Sequence, residues 1–333
     1  MKRVLSGVQP SGQLHLGNYC GAIRQFVEMQ RDHEMFVFVA SYHALTSLRD
    51  ADALRANARQ AAIDHLAFGL DGEADHVHVY LQQDVPRVHE LAWLLACVCP
   101  KHMMDKQVAF KDKVALGLQA TIGLYGYPIL QAADILGVNP DFVPVGEDQR
   151  QNVEIARDLA QKFNGNFPSG DASATNGVFK LPQMKTRQGA ATLPGIDGRK
   201  MSKSLDNGID PFMDEKPLRK RIMKIVSDAT PMEDPKDPQR DATFQIFAGL
   251  AGPEDERTRD LAAKYRAGNF GYGHAKQALF ELMLDHFGDA RRRRAELMND
   301  PGNVEAVLKR GAEAANAELD RVLSAARRAC GLD

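Results

Sequence analysis

Residues 2–18 read Lys2-Arg3-Val4-Leu5-Ser6-Gly7-Val8-Gln9-Pro10-Ser11-Gly12-Gln13-Leu14-His15-Leu16-Gly17-Asn18. The first seven form a short β-favouring run and QPSG is turn-rich. Beyond it Tyr19, Ala22, Ile23, Phe26 and Val27 recur at helical spacing. Strand, glycine turn, helix is therefore the opening unit. The alternation continues with a strand at Met35 to Ala40, a helix at about 51–69, a strand at His76 to Leu81 and a helix near 88–98. Such alternation predicts a parallel sheet covered by helices, an α/β fold.

After the Lys-rich connection KHMMDKQVAFKDK (101–113), Pro128 is expected to open an apolar helix. DFVPVGEDQ (141–149) reads as a strand delivering a polar loop to a helix at about 148–163. Segment 164–211 is rich in Gly, Pro, Ser and Asn, as connections are. From Pro217 onward the periodic stretches read as helix, with breaks around 229–240 and 267–273. The expected division is a sheet domain over 1–195 and a smaller all-helical domain over 196–302, with 303–333 packing back on the sheet domain.

The 333 residues, 44 % hydrophobic and 26 % charged, suffice for two ordinary cores without disulfides or structural metals. A net charge of -2 singles out no partner, and residues 211–333 hold 21 basic and 21 acidic side chains. Contact with nucleic acid would have to come from local patches. The run Arg291 to Arg294 reads first as a solvated helix face and second as such a patch. Cys20, Cys97, Cys99 and Cys330 form no metal-ligand series and are expected to be buried thiols. His76 and His78 reflect strand alternation. The first residues lack the apolar stretch of a signal peptide, and no apolar run approaches the ~20 residues of a membrane span. The expectation is a cytoplasmic protein with no membrane contact.

Gln9 to Asn18 lie where a first strand turns into a first helix, at the carboxyl edge where open α/β sheets bind ligands. Gly12 and Gly17 remove side chains where a nucleotide would approach, and His15 can hydrogen-bond a phosphate. Alone, this is as well read as a tight turn. Lys200-Met201-Ser202-Lys203-Ser204 adds two ammonium groups and two hydroxyls in a glycine-flanked loop. Such a loop can close over a triphosphate and neutralise charge on leaving pyrophosphate.

HLGN at 15–18 is similar to the HIGH signature, and 200–204 matches the KMSKS signature, of class I aminoacyl-tRNA synthetases. The ordered set QPSGQLHLGN, YPILQAADIL at 127–136, VPVGEDQ at 143–149 and KMSKS resembles the tryptophanyl-tRNA synthetase family, bacterial type, over essentially the whole chain. The resemblance implies a Rossmann-like parallel sheet with a smaller all-helical domain that reads the CCA anticodon. It also implies a homodimer, with L-tryptophan, ATP with Mg²⁺, and tRNA(Trp) as partners. Gln9, Pro10, Ser11, Gly17 and Asn18 would line ATP; Gly146, Glu147 and Asp148 its adenosine side, with Gln149 assisting; and Met201 and Leu193 the adenine. Lys200, Ser202, Lys203 and Ser204 would follow the phosphates, His15 would stand near them, and Lys111 or, better, Lys113 would approach the pyrophosphate. Many bacterial members carry Thr at the position of His15.

An indole offers one N–H donor and no acceptor, so its pocket needs an apolar slot and one acceptor. Asp134 supplies that acceptor among Ile129, Leu130, Ala132, Ala133, Ile135 and Leu136. The resemblance implies that Tyr127, Gln131, His43, Val143 and Val145 surround the ring or the amino-acid end. Leu5 and Gln131 stand where several bacterial relatives carry Phe and Met. The rival readings are a tyrosyl-tRNA synthetase, a non-catalytic tryptophan- or tRNA-binding regulatory paralogue, and a nucleotidyltransferase of the same superfamily. QAADIL argues against the first, and intact Gln9, Lys200 and Lys203 against the second. The third is usually shorter and lacks an all-helical second half.

Overall fold

The computed structural model describes residues 1–10, 12, 14–146, 149–168, 177–185 and 193–332, the side chains of Ala109 and Ser204 excepted. The chain opens with β1 (Lys2–Val8), α1 (Leu16–Asn18), a π-turn at Tyr19–Ile23 and α2 (Arg24–Met29). β2 (His33–Val39), α3 (Ser41–Ala44), α4 (Ala51–Ala67), β3 (Val77–Leu81) and α5 (Val88–Val98) follow. Then come α6 (Lys101–Asp105), α7 (Val108–Ala115), α8 (Ile122–Gly137), β4 (Phe142–Pro144), α9 (Arg150–Asn166) and β5 (Gln183–Lys185). Five helices close the chain: α10 (Glu215–Met223), α11 (Ala242–Ala251), α12 (Glu256–Ala267), α13 (Tyr272–Asn299) and α14 (Pro301–Cys330).

The five strands are all parallel in the order β3-β2-β1-β4-β5. Val4 of β1 faces Met35 on β2 and Phe142 on β4, so the strand order reverses beside β1. That reversal is where such sheets open a crevice for ligands. The chain divides into two compact units, one of residues 1–12, 26–186 and 297–333, the other of residues 13–25 and 187–296.

The first unit holds the sheet, and α14 is built to lie on it. Val304, Val307, Leu308, Gly311, Ala312, Ala315, Leu319, Val322, Leu323 and Ala326 form one buried stripe at helical spacing. Each fully buried Leu or Val side chain contributes about 1.5–3 kcal/mol. At Gly311 a Cβ would stand 2.1 Å from the carbonyl oxygen of Val79, so helix backbone rests on β3 backbone. Asp300 caps α14 by accepting the Asn303 N–H, and Gly331 ends it at φ 73°. Arg3 joins β1 to both β2 and α14, pairing with Glu34 (2.9 Å) and Glu318 (2.5 Å).

In the second unit, Leu218, Ile222, Phe244, Ile246, Phe247, Leu250, Leu261, Tyr265, Leu279 and Met283 are buried. Asp241 caps α11, and the Tyr265 hydroxyl donates to it at 2.8 Å. The break before α11 is ordered by Lys236, whose Nζ donates to the carbonyls of Pro231, Met232 and Asp234 at 2.6, 3.1 and 2.9 Å.

Three expectations are corrected. Pro128 lies inside α8, which starts at Ile122 because the Thr121 hydroxyl accepts the Leu124 N–H. The connection 101–113 folds into α6 and most of α7. Of the four cysteines Cys20 is buried, Cys99 and Cys330 are half-buried and Cys97 is exposed: α5 buries Val88, Leu91, Leu94, Leu95 and Val98, leaving Trp93 and Cys97, four apart, on the opposite face.

Candidate active site

Asp134 is buried on α8 between Ala133 and Ile135, where an unpaired carboxylate would be costly. His43 Nε2 approaches its Oδ2 at 2.8 Å, and Gln82 Nε2 approaches Oδ1 and Oδ2 at 2.9 and 2.8 Å. A carboxylate only accepts, so His43 presents its Nε2–H. His43 comes from α3, directly after β2, and Gln82 directly follows β3. The carboxyl edges of two paired strands thus deliver both donors. Gln82 Oε1 accepts the Tyr42 N–H at 3.0 Å, which fixes the amide with its nitrogen toward Asp134. The carboxylate keeps acceptor capacity for a further donor.

Around this pair, the Tyr127 ring stands edge-on to His43 (6.1 Å), and Lys113 Nζ lies 4.8 Å from the Tyr127 ring centroid. Burial pulls the Lys113 ammonium down from its ordinary pKa and pushes the Tyr127 phenol up. Tyr127 hydrogen-bonds Asn152, and Asn152 Nδ2 donates to Gln149 Oε1 at 3.0 Å. Gln149 N–H returns to the Gly146 carbonyl at 3.0 Å. Val143 is buried on β4, Val145 and Gln131 are half-buried, Leu5 is buried on β1, and Lys111 is exposed on α7. Glu147 and Asp148 lie outside the described residues.

The second unit brings HLGN and KMSKS together. The Gly17 N–H donates to the Met201 sulfur (3.3 Å), and the Leu16 N–H to the Ile209 carbonyl (2.8 Å). Asn18 Oδ1 accepts the His15 N–H at 3.0 Å, closing the turn into α1. Glycines make room for the His15 ring: a Cβ at Gly17 would lie 3.0 Å from its Nδ1, and one at Gly208 would lie 2.9 Å from its Cβ. Burial, then the nearby Lys203 ammonium, lowers the His15 pKa to about 4, so the imidazole is neutral at pH 7. Its Nδ1 is buried without a hydrogen-bond partner among the described residues.

KMSKS forms the return arm of a tight hairpin. The Met201 N–H donates to the Leu193 carbonyl (2.9 Å), the Gly195 N–H to the Arg199 carbonyl (2.7 Å), and Pro194 bridges Lys200. Leu193 and Met201 are buried, with Leu193 seated against Gly249 of α11; Lys200 is exposed, and Ser202 and Lys203 are half-buried. Gln9 is exposed, Pro10 is buried, and Ser11 lies outside the described residues, as does the Ser204 side chain. Among the described residues no three His, Cys, Asp or Glu side chains converge on a metal-sized site.

Residues 1–288 match the family described as tRNA synthetases class I (W and Y). The chain belongs to this family. Curated tryptophan–tRNA ligases from Rhodopirellula baltica and Fusobacterium nucleatum are 47 % and 42 % identical to it; they span 99 % and 100 % of this chain and 99 % and 98 % of their own. The tryptophanyl-tRNA synthetase of Campylobacter jejuni, solved with ADP and tryptophan, superposes with a TM-score of 0.88 at 42 % identity, covering 99 % of this chain and 100 % of that one. A tyrosyl-tRNA synthetase from Archaeoglobus fulgidus (20 % identity, TM-score 0.66) shares the fold alone.

Within this class I synthetase, Gln82, Asn152 and Asn207 escape the sequence reading. Each is a buried amide whose importance lies in the groups it bonds: Asp134 and Tyr42 for Gln82, Tyr127 and Gln149 for Asn152, and the KMSKS hairpin for Asn207. The available signal for Gln82 is an amide at the carboxyl end of a strand; for Asn207 it is an amide three residues past KMSKS.

Proposed function

We propose that this chain is a tryptophan–tRNA ligase: it activates L-tryptophan with ATP and transfers the amino acid to the 2′-hydroxyl of the terminal adenosine of tRNA(Trp). The observation that carries the reading is the buried Asp134 carboxylate. His43 and Gln82 hold it with acceptor capacity to spare, in a chain whose full-length relatives are tryptophan–tRNA ligases. One unspent acceptor among apolar neighbours suits an indole N–H.

The tryptophan carboxylate attacks the α-phosphorus in line, the bond to the bridging oxygen breaks, and pyrophosphate leaves. The 2′-hydroxyl of the tRNA adenosine then attacks the activated carbonyl and expels AMP. Neither step needs a covalent enzyme intermediate, and catalysis is positioning plus charge stabilisation. Asp134 receives the indole N–H; Tyr127, Gln131, His43, Val143 and Val145 frame the amino acid. Gln9, Pro10, Ser11, Gly17 and Asn18 line ATP, Gly146, Glu147 and Asp148 its adenosine side, and Met201 with Leu193 the adenine. Lys200, Ser202, Lys203 and Ser204 follow the phosphates, with Lys203 carrying most of the charge that develops on pyrophosphate. His15, neutral at pH 7, offers an N–H to a phosphate oxygen, and Lys113 assists from the sheet unit. Mg²⁺ carried by phosphate oxygens and water supplies further charge neutralisation.

The working assembly is a cytoplasmic homodimer whose helical unit reads the anticodon. Trp93, Val108, Leu116 and Ile122 are exposed apolar side chains on α5, on α7, just past its end and at the start of α8, and a second copy covers them. Among the described residues no helix is long and apolar enough to cross a membrane. ATP–pyrophosphate exchange with each amino acid tests the reading. Tryptophan supports exchange and charging of tRNA(Trp). Preference for tyrosine, or binding of tryptophan without exchange, would overturn it.

A further inference from the structure

The loop carrying KMSKS is held by a residue outside the motif. Asn207 is 1 % exposed, and every polar atom of its side chain is engaged on the loop. Its Oδ1 accepts the Ser202 N–H at 2.7 Å, while Nδ2 donates to Asp197 Oδ1 (2.7 Å) and to the Lys200 carbonyl (3.1 Å). Its backbone carbonyl accepts the Ile196 N–H at 2.9 Å. The turn and the return arm of the hairpin thus converge on one amide, with its oxygen and both N–H groups used. The hairpin is cut to fit it: a Cβ on Gly195 would stand 2.4 Å from Asn207 Cγ. Asp197 is further fixed by the Arg199 guanidinium at 2.6 Å. The next two residues reach the first motif, Gly208 beneath the His15 ring and Ile209 through its carbonyl to the Leu16 N–H (2.8 Å).

We propose that Asn207 is a positioning residue for adenylate formation: it holds the backbone of Lys200 and Ser202 in register with the His15 turn, so that the loop ammonium groups meet the triphosphate. Aspartate at this position keeps the shape and the Ser202 bond but sets a carboxylate against Asp197 and the Lys200 carbonyl. Asp197→Asn then returns a donor to the pair. The proposal rests on the synthetase reading above, and its test separates the two.

Wild type, Asn207→Asp, Asn207→Ala and Asn207→Asp combined with Asp197→Asn are compared as full-length proteins. Asn207→Asp and Asn207→Ala lower kcat in tryptophan-dependent ATP–pyrophosphate exchange by about 10²-fold, the scale of an ångström of misplacement. They raise KM for ATP and leave KM for tryptophan unchanged, and the double variant recovers part of the loss. Equal effects on both KM values, or a double variant no better than Asn207→Asp, would overturn the positioning role. Hydrogen exchange of the peptide spanning 196–207 in the free protein reads the strut without any activity. Protection there falls in Asn207→Ala while the helices keep theirs; unchanged protection refutes the strut. Wild type inactive with tryptophan, but with the strut intact by hydrogen exchange, would sink the synthetase reading alone.

Discussion

Replacing Asp134 with Asn tests amino-acid selection with almost no change in volume. The amide has one acceptor oxygen in place of two. If its oxygen takes the Oδ2 position, it keeps His43 Nε2 and Gln82 Nε2, each at 2.8 Å, and its NH₂ falls where Oδ1 faced Gln82 at 2.9 Å. The reverse orientation sets the NH₂ against two donors at 2.8 Å. The first orientation therefore wins, and the cost to the free fold is about 1 kcal/mol. The indole N–H then meets a nitrogen, or an oxygen already shared and no longer charged. A hydrogen bond to a charged group contributes about 1.5–3 kcal/mol, and each 1.4 kcal/mol is tenfold. KM for tryptophan in ATP–pyrophosphate exchange should rise about 10- to 150-fold, while KM for ATP stays fixed. An unchanged tryptophan KM would refute Asp134 as the indole acceptor; a parallel rise in both KM values would show that the substitution had disturbed the fold.

Lys203→Ala should lower kcat of adenylate formation by about 10²–10³-fold, as for loss of one preorganised charge contact, with tryptophan binding by fluorescence or calorimetry intact. His15 has an ordinary pKa of 6.5 and one of about 4 in the fold. Between those values the unfolded chain binds a proton that the folded chain does not, so this group withdraws stability as pH falls from 6.5 toward 4. His15→Asn should therefore flatten the decline in Tm over that window. Gly311→Ala forces a Cβ about an ångström inside contact with the Val79 carbonyl, which is backbone and cannot swing aside. Urea unfolding should show a loss above the usual 1–3 kcal/mol of overpacking. Ile122→Asp should shift the sedimentation coefficient of a dimer to that of a monomer, and no shift would place the interface elsewhere.

The alternating apolar runs made the parallel sheet legible, because strands and helices of this length differ in period. β5 left no such trace: it is three residues, Gln183–Lys185, with both ends exposed, and it exists by pairing with β4. Pro128 misled because a proline at a helix start and one inside a helix look alike in sequence; the Thr121 cap decides it. The proposed site residues Asp134, Lys200 and Lys203 stood out by type and surroundings. Gln82 and Asn207 did not: Gln82 acts on a partner 52 residues away in sequence, and Asn207 acts through a hairpin fold that no periodicity announces. The placement of residues 13–25 with the helical unit was equally hidden, because the strand-to-helix run through them is continuous in sequence.

That placement has a kinetic corollary. Asp134 is fixed by His43 and Gln82 at the ends of two sheet strands, whereas Lys203 belongs to a loop secured by Asn207 within the other unit. Substitutions at separate sites without shared partners add, whereas groups acting as one catalytic unit do not. On the proposed roles, Asp134→Asn acts on tryptophan capture and Lys203→Ala on the departure of pyrophosphate, so their losses in kcat/KM for tryptophan should add in the double variant. The double variant, measured by the same exchange reaction, should lie within about 0.5 kcal/mol of the sum. A double variant no worse than Lys203→Ala alone would mean that tryptophan reaches its productive position only when the loop holds the triphosphate, and that selection and activation are one event.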